Sequence, residues 1–380
     1  MSTNRLRQLH EAGQSVWLDF IDRAMLRDGS LQKRIREDSL RGMTSNPSIF
    51  EKALAEGKEY DAQIESVTDE LSPSQLFELV ETDDVRAACD IFADVYRESG
   101  GTDGFVSIEV SPGVAADADA TVEEARRLWA AVDRPNVMVK VPGTPEGAMA
   151  VRKLITEGIN VNITLLFSIE AHALVIEAYL AALEERAAAG LPIDHIASVA
   201  SFFVSRVDSE IDKRLEAIAA SSSDALRDGI LAMRGKAAIA NAKLAYRLFT
   251  RRFSGERWAK LAALGAKVQR PLWASTSAKN PAYRDVIYVE TLIGPDTVNT
   301  MPPATIEAFR DHGVVARTVD QDFTAAEQFF HDLEQAGVSM DDVTGKLLAD
   351  GLASFQKSFD TLIQGLERKA KALGKTLVRA

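Results

Sequence analysis

Cysteine is nearly absent from this chain of 380 residues: Cys89 is the only one. That excludes an internal disulfide and suits a reducing compartment. Histidine is scarce as well, and His10, His172, His195, His312 and His331 are scattered, with no pair at metal-ligand spacing. Positive charge is in deficit, with 44 Lys and Arg against 56 Asp and Glu, a formal net charge of -12. No basic cluster with interleaved aromatics offsets this, which argues against a nucleic-acid partner. No stretch approaches the length of a membrane span, and Met1 to His10 carries no apolar signal core, so no membrane role and a cytoplasmic location are expected. No Gly-x-Gly-x-x-Gly follows a strand-like run. Gly229 to Ala237 imitates a phosphate loop, but five residues separate its glycines and Ala237 stands where a hydroxyl is required. Asn162-Ile-Thr164 matches a glycosylation acceptor, which is irrelevant without secretion. Low-complexity linkers and short-period repeats are also missing.

What the chain does have is apolar side chains at 46% of its positions, enough for a substantial core in one large domain with additions, or in two ordinary ones. Short β-rich runs recur at Val16 to Phe20, Leu40 to Thr44, Phe105 to Val110, Val137 to Val141, Ile159 to Thr164, Ile196 to Val204, Val268 to Ala274 and Thr297 to Thr300. Amphipathic patterns fill the intervals, among them Thr121 to Val132, Thr144 to Glu157, Ser168 to Ala189 and Asn280 to Ile293. This rhythm means βαβ units with parallel pairing, and eight strands suggest a closed (β/α)8 TIM barrel, an α/β fold. Val286 to Ile293 has strand-like preferences, but parallel neighbours need a crossover of about a dozen residues. Residues 281–293 are therefore read as the seventh crossover helix, opened by Asn280-Pro281 and stopped by Gly294-Pro295. A helical insert spans about 205–264, broken at Ser221 to Asp224 with an expected N-cap there, and two more helical stretches follow Phe323. The reading is a barrel over 1–322 with an N-terminal helix and that insert. The 323–380 helices are expected to pack on its outside or bottom, not to form an independent domain.

Reactive groups of such barrels sit at the C-terminal ends of the strands. Lys140 stands out there, because it interrupts the apolar run Asn136-Val-Met-Val-Lys-Val-Pro142. An ammonium in that setting is expensive unless it is paired or becomes a neutral amine, the form that attacks a carbonyl to give a Schiff base. A lone lysine could equally snorkel past the strand end to solvent. The other strand ends tilt the balance: they supply Asp19, then Thr44, Ser45, Asn46 and Ser48, then Glu109, and then Asn160, Asn162 and Thr164 on one face. Strand six adds Ser201, Phe203 and Arg206, and strand seven adds Ser275, Ser277 and Lys279. Any one of these could be a buried polar group satisfied by backbone, but the whole set is hard to explain structurally. Hydroxyls and a cation after strand seven also fall near the usual phosphate site of the fold. The constellation points to a Schiff-base enzyme acting on a phosphorylated polyol.

On these residues the chain resembles the transaldolases of the Schiff-base aldolase superfamily. Gly42-Met-Thr-Ser-Asn-Pro-Ser-Ile-Phe50 is similar to their N-terminal signature, and Val137 to Pro142 resembles the segment around their Schiff-base lysine. Asn160 to Ser168 and Trp273 to Pro281 are similar to further segments, and the extra length resembles the longer bacterial subfamily. The resemblance implies dihydroxyacetone transfer from sedoheptulose 7-phosphate to glyceraldehyde 3-phosphate in the pentose shunt. Lys140 would form the imine, Asp19 would take the C4 hydroxyl proton, and Glu109 and Thr164 would hold a proton-shuttling water. It further implies that Asn46, Asn162 and Ser201 bind the sugar, that Arg206 clamps the phosphate, and that Phe202 or Phe203 forms an apolar wall. No metal or organic cofactor is implied; the partners are sugar phosphates, and the protein is a monomer or homodimer. One departure stands out: many transaldolases carry an arginine after the strand-seven serine, where this chain offers Ser275, Ser277 and Lys279. Lys279 supplies charge but no bidentate fork, and either serine could meet the phosphate. The alternatives are a Schiff-base fructose-6-phosphate aldolase that releases free dihydroxyacetone, and a non-catalytic sugar-phosphate-binding barrel. A metal-dependent aldolase is disfavoured by the scattered histidines.

Overall fold

The apolar runs form strands buried along nearly their whole length, as parallel strands covered by helices must be. The computed structural model describes residues 4–67 and 71–378. Its strands are β1 (Gln14–Asp19), β2 (Leu40–Thr44), β3 (Phe105–Glu109), β4 (Val137–Pro142), β5 (Val161–Leu166), β6 (Ser198–Phe203), β7 (Arg270–Ala274) and β8 (Thr297–Met301). They pair in sequence order into a closed parallel barrel, the predicted (β/α)8 architecture with added helices. Register decides which side chains meet at the rim. Asp19 pairs with Thr44, Glu109 with Lys140, and Lys140 with Asn162, so the polar strand ends lie side by side.

The floor is sealed by a buried polar plug. Arg270 donates to Asp103 Oδ1 at 3.1 Å and to Ser15 Oγ at 2.7 Å. Trp17 Nε1 also donates to Asp103, at 3.1 Å. Gly42 lets β2 close over that indole, since a Cβ there would stand 2.6 Å from the Trp17 ring. Asn160 belongs to this lower level and stitches three strands, donating to the Pro135 and Val137 carbonyls and accepting from Ala197 N–H.

Two expectations are corrected. Within residues 281–293 only Ile287–Glu290 is helical. Tertiary bonds hold the rest open: Tyr288 donates to Asp208 at 2.7 Å, Tyr283 donates to Asp212, and Arg284 pairs with Glu290. The second concerns the C-terminal helix, Met340–Ala372, which does not lie on the outside or bottom. It packs on helices Pro47–Glu56, Pro73–Glu98 and Ser205–Ser221, above the C-terminal ends of the strands, because its buried Val343, Leu347, Leu362, Leu366 and Ala370 find their apolar partners there. The insert forms four helices, 205–221, 224–231, 237–252 and 255–262; Ser223 takes the N-cap position at the break but makes no side-chain capping bond.

Behind β6, His172 is fully buried, 5.8 Å from the Phe202 ring, and neither ring nitrogen has a hydrogen-bond partner. Burial pushes its imidazole down to about 3. The unfolded chain takes up this proton below its ordinary value near 6.5 and the folded chain does not, so stability is lost as pH falls from about 6.5 towards 3. Between about pH 7.5 and about pH 5 the wild type is expected to lose about 2 kcal/mol more stability than His172→Leu. Denaturant unfolding of both proteins at the two pH values measures this, and equal losses would contradict it.

Candidate active site

Above the plug the strand ends enclose a cavity of about 560 Å³, a size suited to a small ligand. Its wall carries Asp19, Asn46, Lys140, Asn162, Thr164, Ser201, Phe203, Arg206, Ser275, Ser277 and Lys279. Four residues picked from sequence are absent from that wall: Glu109 lies behind Lys140 as its ion partner, Ser45 offers Lys140 its carbonyl, Asn160 stitches the lower level, and Phe202 packs outward on His172 and Trp273.

Lys140 is a buried cation with two acceptors. Its Nζ donates to Glu109 Oε2 at 3.0 Å and to the Ser45 carbonyl at 2.9 Å, and the pair is 8% and 5% exposed. The other carboxylate oxygen, Glu109 Oε1, is buried without a partner. Burial raises the Glu109 carboxyl above its ordinary value against the opposing pull of Lys140, and the negative charge of Asp19 adds to the rise. Such a carboxylate is a ready acceptor for a proton on the adjacent amine.

Asp19, at the end of β1, lines the same cavity as Lys140. Thr44 Oγ1 lies 2.9 Å from Asp19 Oδ1 and 2.8 Å from Thr300 Oγ1, so two hydroxyls on β2 and β8 fix the carboxylate's orientation. Burial raises its pKa, opposed first by Lys140, then by the Thr44 bond and by Lys279 and Arg206. Lys140 thus acts on two buried carboxyl groups, paired directly with Glu109 and through space with Asp19.

Amide and hydroxyl groups line the next sector. Asn162 Nδ2 donates to Ser107 Oγ at 3.0 Å, while Ser201 Oγ donates to Asn162 Oδ1 at 2.6 Å. Asn46 caps helix Pro47–Glu56 by accepting from Ile49 N–H at 3.1 Å. The cap occupies its oxygen and leaves its amide NH2 for the cavity.

The far sector is cationic. The Arg206 guanidinium stacks on Phe203, 5.1 Å from the ring centroid. Burial lowers the pKa of Arg206, and burial together with Arg206 itself lowers that of Lys279. Two cations held close without a paired carboxylate favour an anion between them. Lys279 Nζ donates to Ser277 Oγ at 2.6 Å, and Ser275 shares a hydroxyl bond of 2.9 Å with Ser205. Ser275 takes a left-handed backbone, φ 57°, a strained state that turns it from the β7 direction towards Ser205.

Several contributors escaped the sequence reading. Thr44 and Ser48 are strand-end candidates already; what escaped was their bonding to Asp19, Thr300 and Ser358. Thr300 sits on the predicted eighth strand, yet nothing local marks it. The Ser45 carbonyl is a backbone acceptor, and Ser354 and Phe355 reach the wall from the C-terminal helix. Glu81, on helix Pro73–Glu98, is buried and held well above the usual carboxylate range by burial and by the charge of Glu109. Among the described residues no group of three His, Cys, Asp or Glu side chains is placed to hold a metal ion, and no helix is long and apolar enough to cross a membrane.

Comparison with known proteins adds a family. The family model described as Transaldolase/Fructose-6-phosphate aldolase matches residues 16–366. The chain is similar to a protein named Transaldolase from Trichodesmium erythraeum, 46% identical over 98% of this chain and 99% of the relative. It is equally similar, at 46%, to Transaldolase 2 from Nostoc sp., over 98% of this chain and 99% of that one. A Transaldolase from Mycolicibacterium smegmatis is also 46% identical, over 97% and 98% of the two chains.

Proposed function

Because the chain belongs to the transaldolase/fructose-6-phosphate aldolase family, we propose that the barrel-top cavity carries out dihydroxyacetone transfer with Lys140 as the covalent group. Its activity is that of a transaldolase, a transferase acting by a Schiff base. The observation that carries the residue assignment is the buried Lys140–Glu109 pair, facing a cavity whose far side holds Arg206 and Lys279.

In the proposed sequence Glu109 takes a proton from Nζ, and the amine adds to C2 of sedoheptulose 7-phosphate. The C2 oxygen leaves as water, giving a protonated imine. Glu109 and Thr164 hold that water, and Asn46, Asn162 and Ser201 hold the three-carbon hydroxyls. Asp19 takes the C4 hydroxyl proton, the C3–C4 bond breaks, and its electrons pass to the imine nitrogen as an enamine. Erythrose 4-phosphate departs. Glyceraldehyde 3-phosphate then accepts the enamine carbon at its carbonyl, the new hydroxyl receives the Asp19 proton, and hydrolysis frees fructose 6-phosphate. Arg206 and Lys279, with Ser275 and Ser277, bind the phosphate of either sugar. All these groups come from one chain, which supports catalysis in a monomer and in a homodimer alike. The buried, unpaired Cys89 fits a cytoplasmic setting. The helix Met340–Ala372 adds Ser354 and Phe355 to the cavity wall, and helix Phe323–Gln335 packs on helix Ala237–Arg252, which supports a single folding unit.

The test starts from fructose 6-phosphate and erythrose 4-phosphate and follows sedoheptulose 7-phosphate and free dihydroxyacetone together. Transfer is expected to dominate in the wild type. Phe203→Tyr places a hydroxyl in the apolar wall, 5.2 Å ring to ring from Phe167, and is expected to raise release relative to transfer by about tenfold or more. Release dominating in the wild type would contradict the transaldolase assignment.

A further inference from the structure

The C-terminal helix presents one stripe to the catalytic cavity. Gly351, Ser354, Phe355 and Ser358 follow the i, i+3, i+4, i+7 spacing of a single helix face. At one end of the stripe, a Cβ on Gly351 would stand 3.0 Å from Leu165 Cδ2 on β5 and 3.8 Å from Arg206 Nη1 beyond β6. A side chain there would press on Leu165 and make it shift by a few tenths of an ångström, so glycine suits the close approach. At the other end, Ser48 Oγ donates to Ser358 Oγ at 2.9 Å, just beyond β2. In a closed ring of eight strands in sequence order, β2 and β6 stand opposite each other, so the stripe spans the mouth from side to side. Between those ends Ser354 and Phe355 line the cavity.

The span is pinned beyond both ends. On the β6 side Asp342 pairs with Arg214, and Lys346 lies 3.8 Å from Glu210, both on helix Ser205–Ser221. On the β2 side Phe359 packs edge-on against Phe77, with centroids 6.0 Å apart, and Lys369 Nζ donates to the Leu54 carbonyl at 3.0 Å and pairs with Asp61 at 2.9 Å. A beam tied at both supports is a fixed roof.

We propose that this helix is the roof of the catalytic cavity and that Phe355 is a specificity-determining residue, keeping water from the Lys140 enamine until an acceptor aldose arrives. This rests on the Schiff-base reading above. The waiting enamine has two fates. Its nucleophilic carbon can bond to an aldehyde carbon, whose oxygen takes a proton, and hydrolysis then yields a new ketose phosphate. Alternatively the same carbon takes a proton, water adds to the imine carbon, and dihydroxyacetone leaves with the Lys140 amine restored. Both routes conserve atoms and neither involves a redox step. An aromatic ring over the site shields the enamine carbon from the solvent protons that only the second route requires, while the hydrolysis that ends either route draws on the water assigned to Glu109 and Thr164.

Phe355→Ala and Phe355→Leu, with fructose 6-phosphate as donor and erythrose 4-phosphate as acceptor, test this through the ratio of free dihydroxyacetone to sedoheptulose 7-phosphate. The ratio is expected to rise by about tenfold in Phe355→Ala, with Phe355→Leu between it and the wild type. Borohydride trapping is run on the same samples. A wild-type ratio in Phe355→Ala, or in Phe355→Leu should the alanine variant not fold, with the Lys140 adduct present, overturns the proposal. Absence of the adduct in every protein, the wild type included, overturns the Schiff-base reading and this inference with it.

Discussion

Lys140→Met is expected to abolish transfer, lowering kcat by roughly four orders of magnitude or more, because no other amine stands between Glu109 and the Asp19–Thr44 pair. Lys279, the other lysine of the cavity wall, is engaged with Ser277 in the cationic sector. Methionine keeps much of the side-chain volume, so the barrel stays packed. What changes is the charge balance: Glu109 Oε1 already lacks a partner, and the variant removes the ammonium that pairs with Oε2. An uncompensated buried carboxylate would cost about 3–5 kcal/mol, and the group avoids this by taking up a proton. The Glu109 pKa, already raised in the folded protein, rises further once Lys140 is gone. A carboxyl whose folded pKa exceeds its unfolded value favours folding at pH below the unfolded value and loses that contribution as pH rises through the folded one. Lys140→Met is therefore expected to lose stability towards neutral pH relative to the wild type. Steady-state transfer assays and thermal unfolding across pH check the two halves. Appreciable transfer by the variant would remove Lys140 from the mechanism.

Asp19→Asn is expected to lower kcat by about 10²–10⁴-fold, with little effect on donor KM, because the step lost is proton removal from the C4 hydroxyl. Asparagine keeps the shape and can still meet Thr44, so binding survives where the base does not. The pH profile carries the same signature. Burial raises the Asp19 pKa, and a base works only when ionised, so wild-type activity falls as pH drops through that raised value. The residual activity of Asp19→Asn is expected to lack this acid limb. Imine formation precedes carbon–carbon cleavage, so borohydride should trap the uncleaved hexose phosphate in the variant and the three-carbon unit in the wild type. A three-carbon adduct accumulating at the wild-type rate in Asp19→Asn would assign the base elsewhere.

The strands were legible because parallel strands buried on both faces leave continuous apolar runs, and Lys140 was conspicuous because it breaks one. The fold's geometry together with the resemblance points to candidate site residues at strand ends, and most of them line one cavity. The errors occurred where distant side chains override local preference. Nothing in Val286 to Ile293 reveals that Tyr283 and Tyr288 bond to Asp212 and Asp208. The C-terminal helix shows its amphipathic stripe plainly, but not which surface accepts it. That is decided by contacts such as Ser48 with Ser358, which are 310 residues apart. Backbone contributors are the least visible, since neither the Ser45 carbonyl nor the left-handed turn at Ser275 depends on a side chain that sequence could flag.

The most direct measurement is borohydride reduction of the wild-type protein with fructose 6-phosphate, followed by intact and peptide mass spectrometry. One reduced dihydroxyacetone adduct per chain is expected, on the peptide carrying Lys140. An active, folded protein that gives no adduct, or places it on another lysine, would contradict the claim that Lys140 carries the transferred unit.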